Sequence, residues 1–315
     1  MNKQVEVSVI IPCYNSSGTI QRAVNSVLRQ EGVETEIILV DDGSTDDSVE
    51  KAKGVTGNRL KIQQLKGPSG TGKARNEGLK IAEGNWIQFL DADDSLEPGK
   101  LRKQLAVSDY ADIIISGWNL FIQDRLAEKQ FPKKLASAEN RLEVLLRENQ
   151  IHSAAPLVRK TLVNDVGGFK EELYHEDWEF WVSLFSREPR TVFYPEYLSN
   201  YYRNVGGKSW DTRKRLTEDI QLLEFLLRSP EYKSHFPAIK KELRKKRIDT
   251  FTAFWVSGQN DKALEQVNQL ENMNPVENAI VLLVKTGMVS RAIAGGVGPR
   301  KVMRRLSGFI KRFNK

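Results

Sequence analysis

The feature that most constrains this chain is an alternation that begins near its start. Val5–Pro12, Glu36–Val40, Leu60–Leu65 and Asn85–Leu90 are short apolar runs, the first of them rich in β-branched residues and closed by proline. Each reads as a strand, buried where the run is continuous. Helical periods separate them. Thr19–Arg29 places Ile20, Ala23, Val24, Val27 and Leu28 on one face, Ser48–Lys53 follows a cap at Thr45 or Asp46, and Ala74–Ala82 follows a Gly/Pro/Ser loop. A chain that alternates in this way buries a largely parallel sheet between helices.

The pattern continues with a helix at Leu101–Val107, a strand at Asp112–Ser116, a helix over 139–147, a turn at Val166–Phe169, a helix from Glu176 to Phe185 and a short strand near Val192. From about Asp211 the segments become long, helical and rich in Leu, Lys and Arg. The expected organisation is therefore an α/β domain over residues 1–210, a helical extension over 211–298 and a basic tail over 299–315. Lys240–Arg247 reads as a solvated helix face.

Composition narrows the function classes. Cys13 is the only cysteine, which excludes an internal disulfide framework and any Cys-rich zinc module, and His152, His175 and His235 lie too far apart for a compact His-ligand motif. The start, Asn2-Lys3-Gln4, has no secretory pattern, and the apolar stretch Ala279–Gly298 is broken by Lys285 and Arg291. A soluble, cytoplasmic protein is expected. The net charge of +7 belongs to the tail: seven of the 48 basic residues lie in 299–315 with no acid, leaving 41 of each sign before it. That argues against a nucleic-acid partner, which would select basic residues over a folded face. In the tail Val302, Met303, Leu306, Phe309, Ile310 and Phe313 share a helical face. Such a helix suits an anionic membrane surface; a docked terminal helix and a disordered basic end are the alternatives.

Two of the strands end in acids. Asp91-Ala92-Asp93-Asp94 puts three carboxylates in four residues, an arrangement that a hard divalent cation holding a diphosphate would relieve and that a solvated acidic turn would also accommodate. Asp41-Asp42-Gly43-Ser44-Thr45-Asp46 repeats it at an earlier strand, where a carboxylate can accept bonds from a base or ribose, or cap the next helix. Ligands of open α/β sheets bind beyond these strand ends. Gly67–Lys73 has the Gly-x4-Gly-Lys spacing of a phosphate loop, but Ala74 stands where the Mg²⁺-binding hydroxyl belongs and the strand before it is the third.

Taken together, Val7-Ser-Val-Ile-Ile-Pro-Cys-Tyr-Asn15, Ile38-Leu-Val-Asp-Asp-Gly-Ser-Thr-Asp46, Ala74-Arg-Asn-Glu-Gly78, Ala82-Glu-Gly84, Ile87-Gln-Phe-Leu-Asp-Ala-Asp-Asp94, and Gly167-Gly-Phe169 with His175-Glu-Asp177 resemble the family-2 glycosyltransferases, in family order across roughly residues 5–205. The resemblance implies a GT-A fold, a mostly parallel sheet flanked by helices with a C-terminal helical extension. It implies inverting transfer of a sugar from a UDP-sugar to a saccharide or lipid-linked saccharide acceptor, with Mn²⁺ or Mg²⁺, in surface polysaccharide synthesis. The tail would hold such an enzyme at the cytoplasmic face of a membrane.

Carried over position by position, the resemblance makes Tyr14 the base-stacking ring with Pro12 beside it, Asp42 the acceptor for the base N–H, and Asp41 a support for the turn or ribose. Lys73 and Arg75 fall near the nucleotide, Asp91 at the ribose, and Asp93 at the metal with Asp94 sharing the work. Asp177 becomes the base, with Glu176 as runner-up; Trp178 and Trp181 form an acceptor platform or pack in the core. Asn204 stands where many relatives carry His, so Arg203 and Lys208 would neutralise the diphosphate. The competing readings are a nucleotidyltransferase-like enzyme, a membrane-associated scaffold without turnover, and a phosphate-loop ATPase.

Overall fold

A computed structural model describes residues 4–56, 60–173, 175–203 and 212–270. The chain divides into two compact units, Met1–Gly207 and Lys208–Lys315. In the first, β1 (Val7–Cys13), β2 (Thr35–Asp41), β3 (Leu60–Gln64) and β4 (Trp86–Phe89) alternate with α1 (Ile20–Leu28), α2 (Ser48–Thr56) and α3 (Thr71–Ile81). The four strands lie parallel in the order β3-β2-β1-β4. All seven residues of β1 are buried, and Ile20, Ala23, Val24 and Val27 of α1 pack into the same core. The acidic turns follow the carboxyl ends of β2 and β4.

Beyond β4 come β5 (Ser95–Leu96), α4 (Lys100–Leu105), β6 (Ile113–Ile122), β7 (Arg125–Gln130), α5 (Lys133–Ser137), α6 (Arg141–Arg147), β8 (Pro156–Arg159), α7 (Lys160–Asp165), α8 (Glu176–Phe185) and β9 (Thr191–Arg203). Here the sheet is mixed rather than parallel. β8 runs antiparallel to both β4 and β6, β7 and β5 pair antiparallel with β6 and β9, and only β6 and β9 run parallel. Two strands, β6 and β9, are much longer than their sequence pattern indicates. β6 continues past Ser116 because Gly117 lets it pass Tyr197: a Cβ there would lie 2.7 Å from the tyrosine ring. The same glycine interrupts the apolar run in the sequence.

At the amino-terminal ends of the strands a buried carboxylate ties three of them together. Glu36 accepts from Ser8 Oγ (2.5 Å), Glu83 N–H (2.6 Å) and Gly84 N–H (3.2 Å), and pairs with Lys61 Nζ (2.7 Å). Any Cβ at position 84 would sit 2.5 Å from the Ser8 nitrogen, so only glycine fits. Burial opposes the charged form of Glu36, but Lys61, Ser8 and Glu83 together hold it below the usual carboxylate range. A lowered native value adds stability above the unfolded value, and that stability is lost as pH falls through the native one. Glu36→Gln is expected to cost about 1–3 kcal/mol at pH 7, and urea midpoints of the two proteins should converge at acid pH. Equal midpoints at pH 7 would remove the cluster from the stability of the fold.

The second unit contains α9 (Thr212–Arg228), α10 (Phe236–Val256) and α11 (Asn260–Asn268). Leu223, Leu226, Ile239, Phe251 and Trp255 are buried in it. Lys246 pairs with Asp219 and Arg247 with Glu224, each at 2.5 Å, so the end of the Lys240–Arg247 stretch joins α10 to α9 instead of facing solvent. No helix among the described residues is long and apolar enough to cross a membrane. Residues 271–298 and the basic face of 299–315 lie outside the described residues.

Candidate active site

The site is assembled at the carboxyl ends of β1, β2 and β4. Pro12 is buried in β1, and Tyr14, the next residue but one, is 48% exposed, unusual for so large a ring directly after a buried strand. Its loop is fixed to the β2 turn: Asn15 N–H donates to Ser44 Oγ (3.0 Å) and Thr45 N–H to Asn15 Oδ1 (2.8 Å). Asp41 accepts from Ser44 N–H (3.1 Å), which closes the turn, and Asp46 accepts from Ser48 N–H (3.1 Å) at the entry to α2.

Asp42 is 5% exposed and accepts from Ser69 N–H and Gly70 N–H, both at 2.8 Å. The loop that spells a near phosphate motif therefore wraps a protein carboxylate, which leaves the ATPase reading without its cradle. Gly43 (φ +81°) makes this possible, since a Cβ there would lie 2.7 Å from the Cα of Gly67. A carboxylate offers about four acceptor positions, so the Ser69 and Gly70 bonds leave Asp42 with acceptor capacity. Lys73, on the first turn of α3, is half-buried.

The carboxylates after β4 are alike in sequence and unlike in space. Asp91 pairs with Arg75 (2.7 Å). Asp93 is half-buried, and burial, with Asp94 and Asp91 adding, pushes its carboxyl up to about 7. Asp94 is 1% exposed; one oxygen accepts from Tyr202 N–H (3.0 Å) and the other from His152 Nε2 (3.2 Å). Asp94 thus joins β9 to His152 and is more deeply buried than Asp93. Burial works against a charged His152, but the Asp94 carboxylate outweighs it and raises the imidazole above its ordinary value. Trp118 and Tyr201 flank that ring, with centroids 5.8 and 4.5 Å away.

Arg75 also departs from expectation. It is 2% exposed and joins Asp91 to Glu176 (3.1 Å), so it holds the start of α8 against the end of β4 and is not free to meet a phosphate. Burial pushes Glu176 up to about 7 against the pull of Arg75. Asp177, one residue on, turns the other way. It lines a cleft of about 630 Å³ with Asp91, Trp118, Asn149, His152, Tyr201 and Arg203. Its Oδ1 accepts from Trp178 N–H (2.7 Å) and its Oδ2 from Asn149 Nδ2 (3.1 Å).

Trp178 and Trp181 do not reach this cleft. They are 3% and 1% exposed, and Trp178 Nε1 donates to Leu145 O (2.6 Å), which makes them core residues under α8 and excludes an acceptor platform. Lys208 and Asn204 lie outside the described residues. His152 and Asn149 are the functional candidates that sequence reasoning missed; a lone His and a loop Asn carry no spacing signal. Among the described residues no three His, Cys, Asp or Glu side chains gather into a metal cage.

Residues 8–162 match the family model described as glycosyl transferase family 2. The succinoglycan biosynthesis protein ExoO of Rhizobium meliloti is 38% identical over 120 residues, 38% of this chain and 34% of that protein, so the matched region spans about a third of that relative. The UDP-Glc:alpha-D-GlcNAc-diphosphoundecaprenol beta-1,3-glucosyltransferase WfgD of Escherichia coli is 28% identical over 201 residues, 62% of this chain and 76% of its own. Among solved structures, S. aureus TarS 1–349 in complex with UDP-GlcNAc aligns with a TM-score of 0.60 at 22% identity over 84% of this chain and 82% of that one, a likeness of fold.

Proposed function

We propose that this chain, whose residues 8–162 form a glycosyl transferase family 2 domain on a GT-A fold, transfers a sugar with inversion from a UDP-sugar to a saccharide or lipid-linked saccharide during polysaccharide synthesis. The observation that carries this reading is the Asp177 carboxylate, held on the wall of the cleft that also takes in Asp91. Inversion needs one in-line displacement. The acceptor oxygen bonds to the anomeric carbon as the bond from that carbon to the diphosphate breaks. The hydroxyl proton passes to Asp177, and the diphosphate leaves with the bonding electrons. Tyr14 and Asp42 would take the base, and Arg203, on the cleft wall, would oppose the charge of the diphosphate.

The residues present fit a Mn²⁺ or Mg²⁺ ion. Asp93 is a half-buried carboxylate crowded by Asp94 and Asp91, and a hard divalent ion takes one or two protein carboxylates and completes its shell with phosphate oxygens and water. When bound, the metal would neutralise charge that develops on the departing diphosphate. The likeness to WfgD and ExoO supports a UDP donor, a diphospholipid-linked acceptor and a polysaccharide product.

Calorimetry with UDP, GDP, dTDP and ATP, each with Mn²⁺ and with EDTA, tests the donor. UDP is expected to bind best and only with metal, and Asp93→Ala is expected to weaken that binding by about tenfold or more. A preference for GDP or dTDP would replace the donor, binding unchanged by EDTA would remove the metal, and silence towards all four would remove transfer itself.

A further inference from the structure

We propose that Asn149 is the positioning residue for Asp177, donating the hydrogen bond that aims one carboxylate oxygen into the cleft; this rests on Asp177 being the base. Asn149 lies in the loop between α6 and β8, on neither of the elements that carry the acidic clusters. The orientation of its amide follows from its partners. Its Oδ1 accepts from Ile151 N–H (3.0 Å), which leaves Nδ2 to face Asp177 Oδ2 at 3.1 Å. On the far side of the carboxylate, Oδ1 is taken by Trp178 N–H (2.7 Å). The two oxygens are therefore held from opposite sides, one by the first turn of α8 and one by the loop, and rotation about the Asp177 side chain would break both bonds.

Three of the charged groups near Asp177 are engaged elsewhere, while Glu128, Lys129, Lys133 and Arg203 line the rest of the cleft. Glu176 precedes it on α8 and faces Arg75 of α3. Asp91 is held by that same guanidinium, and His152 is held by Asp94. Asn149, by contrast, touches Asp177 directly and lines the cleft beside it. A neutral donor is suited to the position: it orients the carboxylate without neutralising it, and leaves the remaining lone pair of Oδ2 for the proton of the acceptor hydroxyl.

The test uses the full chain and Asn149→Asp. This variant keeps an oxygen for Ile151 N–H, so the loop has the same anchor, but it has no donor for Asp177 while ionised. UDP release from UDP-glucose, UDP-galactose and UDP-N-acetylglucosamine in the absence of acceptor, where water takes the acceptor's place, is measured from pH 5 to 8 beside wild type. At pH 8 kcat is expected to fall by roughly 10–100-fold, with UDP affinity by calorimetry within about twofold of wild type. As pH falls, the ratio of variant to wild type should rise, because the introduced carboxyl regains a donor once it is protonated. Asn149→Ala should lose activity at every pH with no such recovery. Wild-type turnover by Asn149→Asp at pH 8, or a loss that acid does not lessen, would overturn the proposal. Full turnover by Asp177→Asn would instead remove the base on which it rests, so the two failures are distinguishable.

Discussion

Asp177→Asn is expected to lower transfer by roughly 10²–10⁴-fold, the range for removing a general base, while UDP binds almost as tightly as to wild type. The separation follows from geometry. Asp177 lines the cleft, whereas Tyr14 and Asp42 stand at the ends of β1 and β2, in the part of the site assigned to the base. The amide cannot reproduce the carboxylate's bonds either. If its oxygen keeps Trp178 N–H, its NH₂ meets the NH₂ of Asn149; if it flips, it meets the Trp178 N–H instead. Both orientations remove the base and disturb the cleft wall. Glu176→Gln supplies the contrast. Its carboxylate points to Arg75, and its side chain is only 14% exposed, so a smaller loss of turnover is expected. UDP release with acceptor present, together with UDP calorimetry, reads both variants. Normal transfer by Asp177→Asn with an inactive Glu176→Gln would move the base to Glu176.

The parts of this site that were legible in the sequence are those where a local rule operates. Continuous β-branched runs announce β1 and β2, and acids directly after a strand announce Asp41, Asp42 and the Asp91–Asp94 cluster at one edge of the sheet. The rest depends on partners brought from far along the chain. Three neighbouring aspartates look equivalent until Asp94 is seen to accept from Tyr202 and His152, and Asp91 to be held by Arg75. Trp178 and Trp181 are three apart on a helix, which suits a platform and a core equally; burial decides for the core. The apolar pattern of β6 stops at Gly117, a break that in space permits the close passage of Tyr197. The Asn76 of Ala74–Gly78 exchanges two 2.9 Å bonds with the backbone of Phe169, so two sequence motifs that look separate form one joint.

The largest effect on stability is expected at the centre of that arrangement. Arg75→Met keeps an apolar stem against Phe169 and Phe89, whose rings lie 5.2 and 6.0 Å from the guanidinium, but removes the cation shared by Asp91 and Glu176. Breaking a buried ion pair from one side costs about 3–5 kcal/mol, because the abandoned charge stays desolvated. Asp91, with 31% of its side chain exposed, can recruit water; Glu176, at 14%, has less access to it. Burial already pushes Glu176 up to about 7, and loss of Arg75 removes the charge that opposes the rise. The variant therefore escapes part of the penalty by holding a proton on Glu176, and the proton is the weak point. A carboxyl whose native value lies above its unfolded one loses stability as pH rises between the two. Arg75→Met should thus unfold at lower urea than wild type throughout, with the gap wider at pH 8 than at pH 5.5. Arg75→Lys should restore only part of it, since one ammonium cannot present separate nitrogens to Glu176 and Asp91 as the guanidinium fork does. Equal urea midpoints for Arg75→Met and wild type at pH 8 would mean that α8 is held to the end of β4 by its apolar face alone, through Phe180 against Phe89 and Phe169.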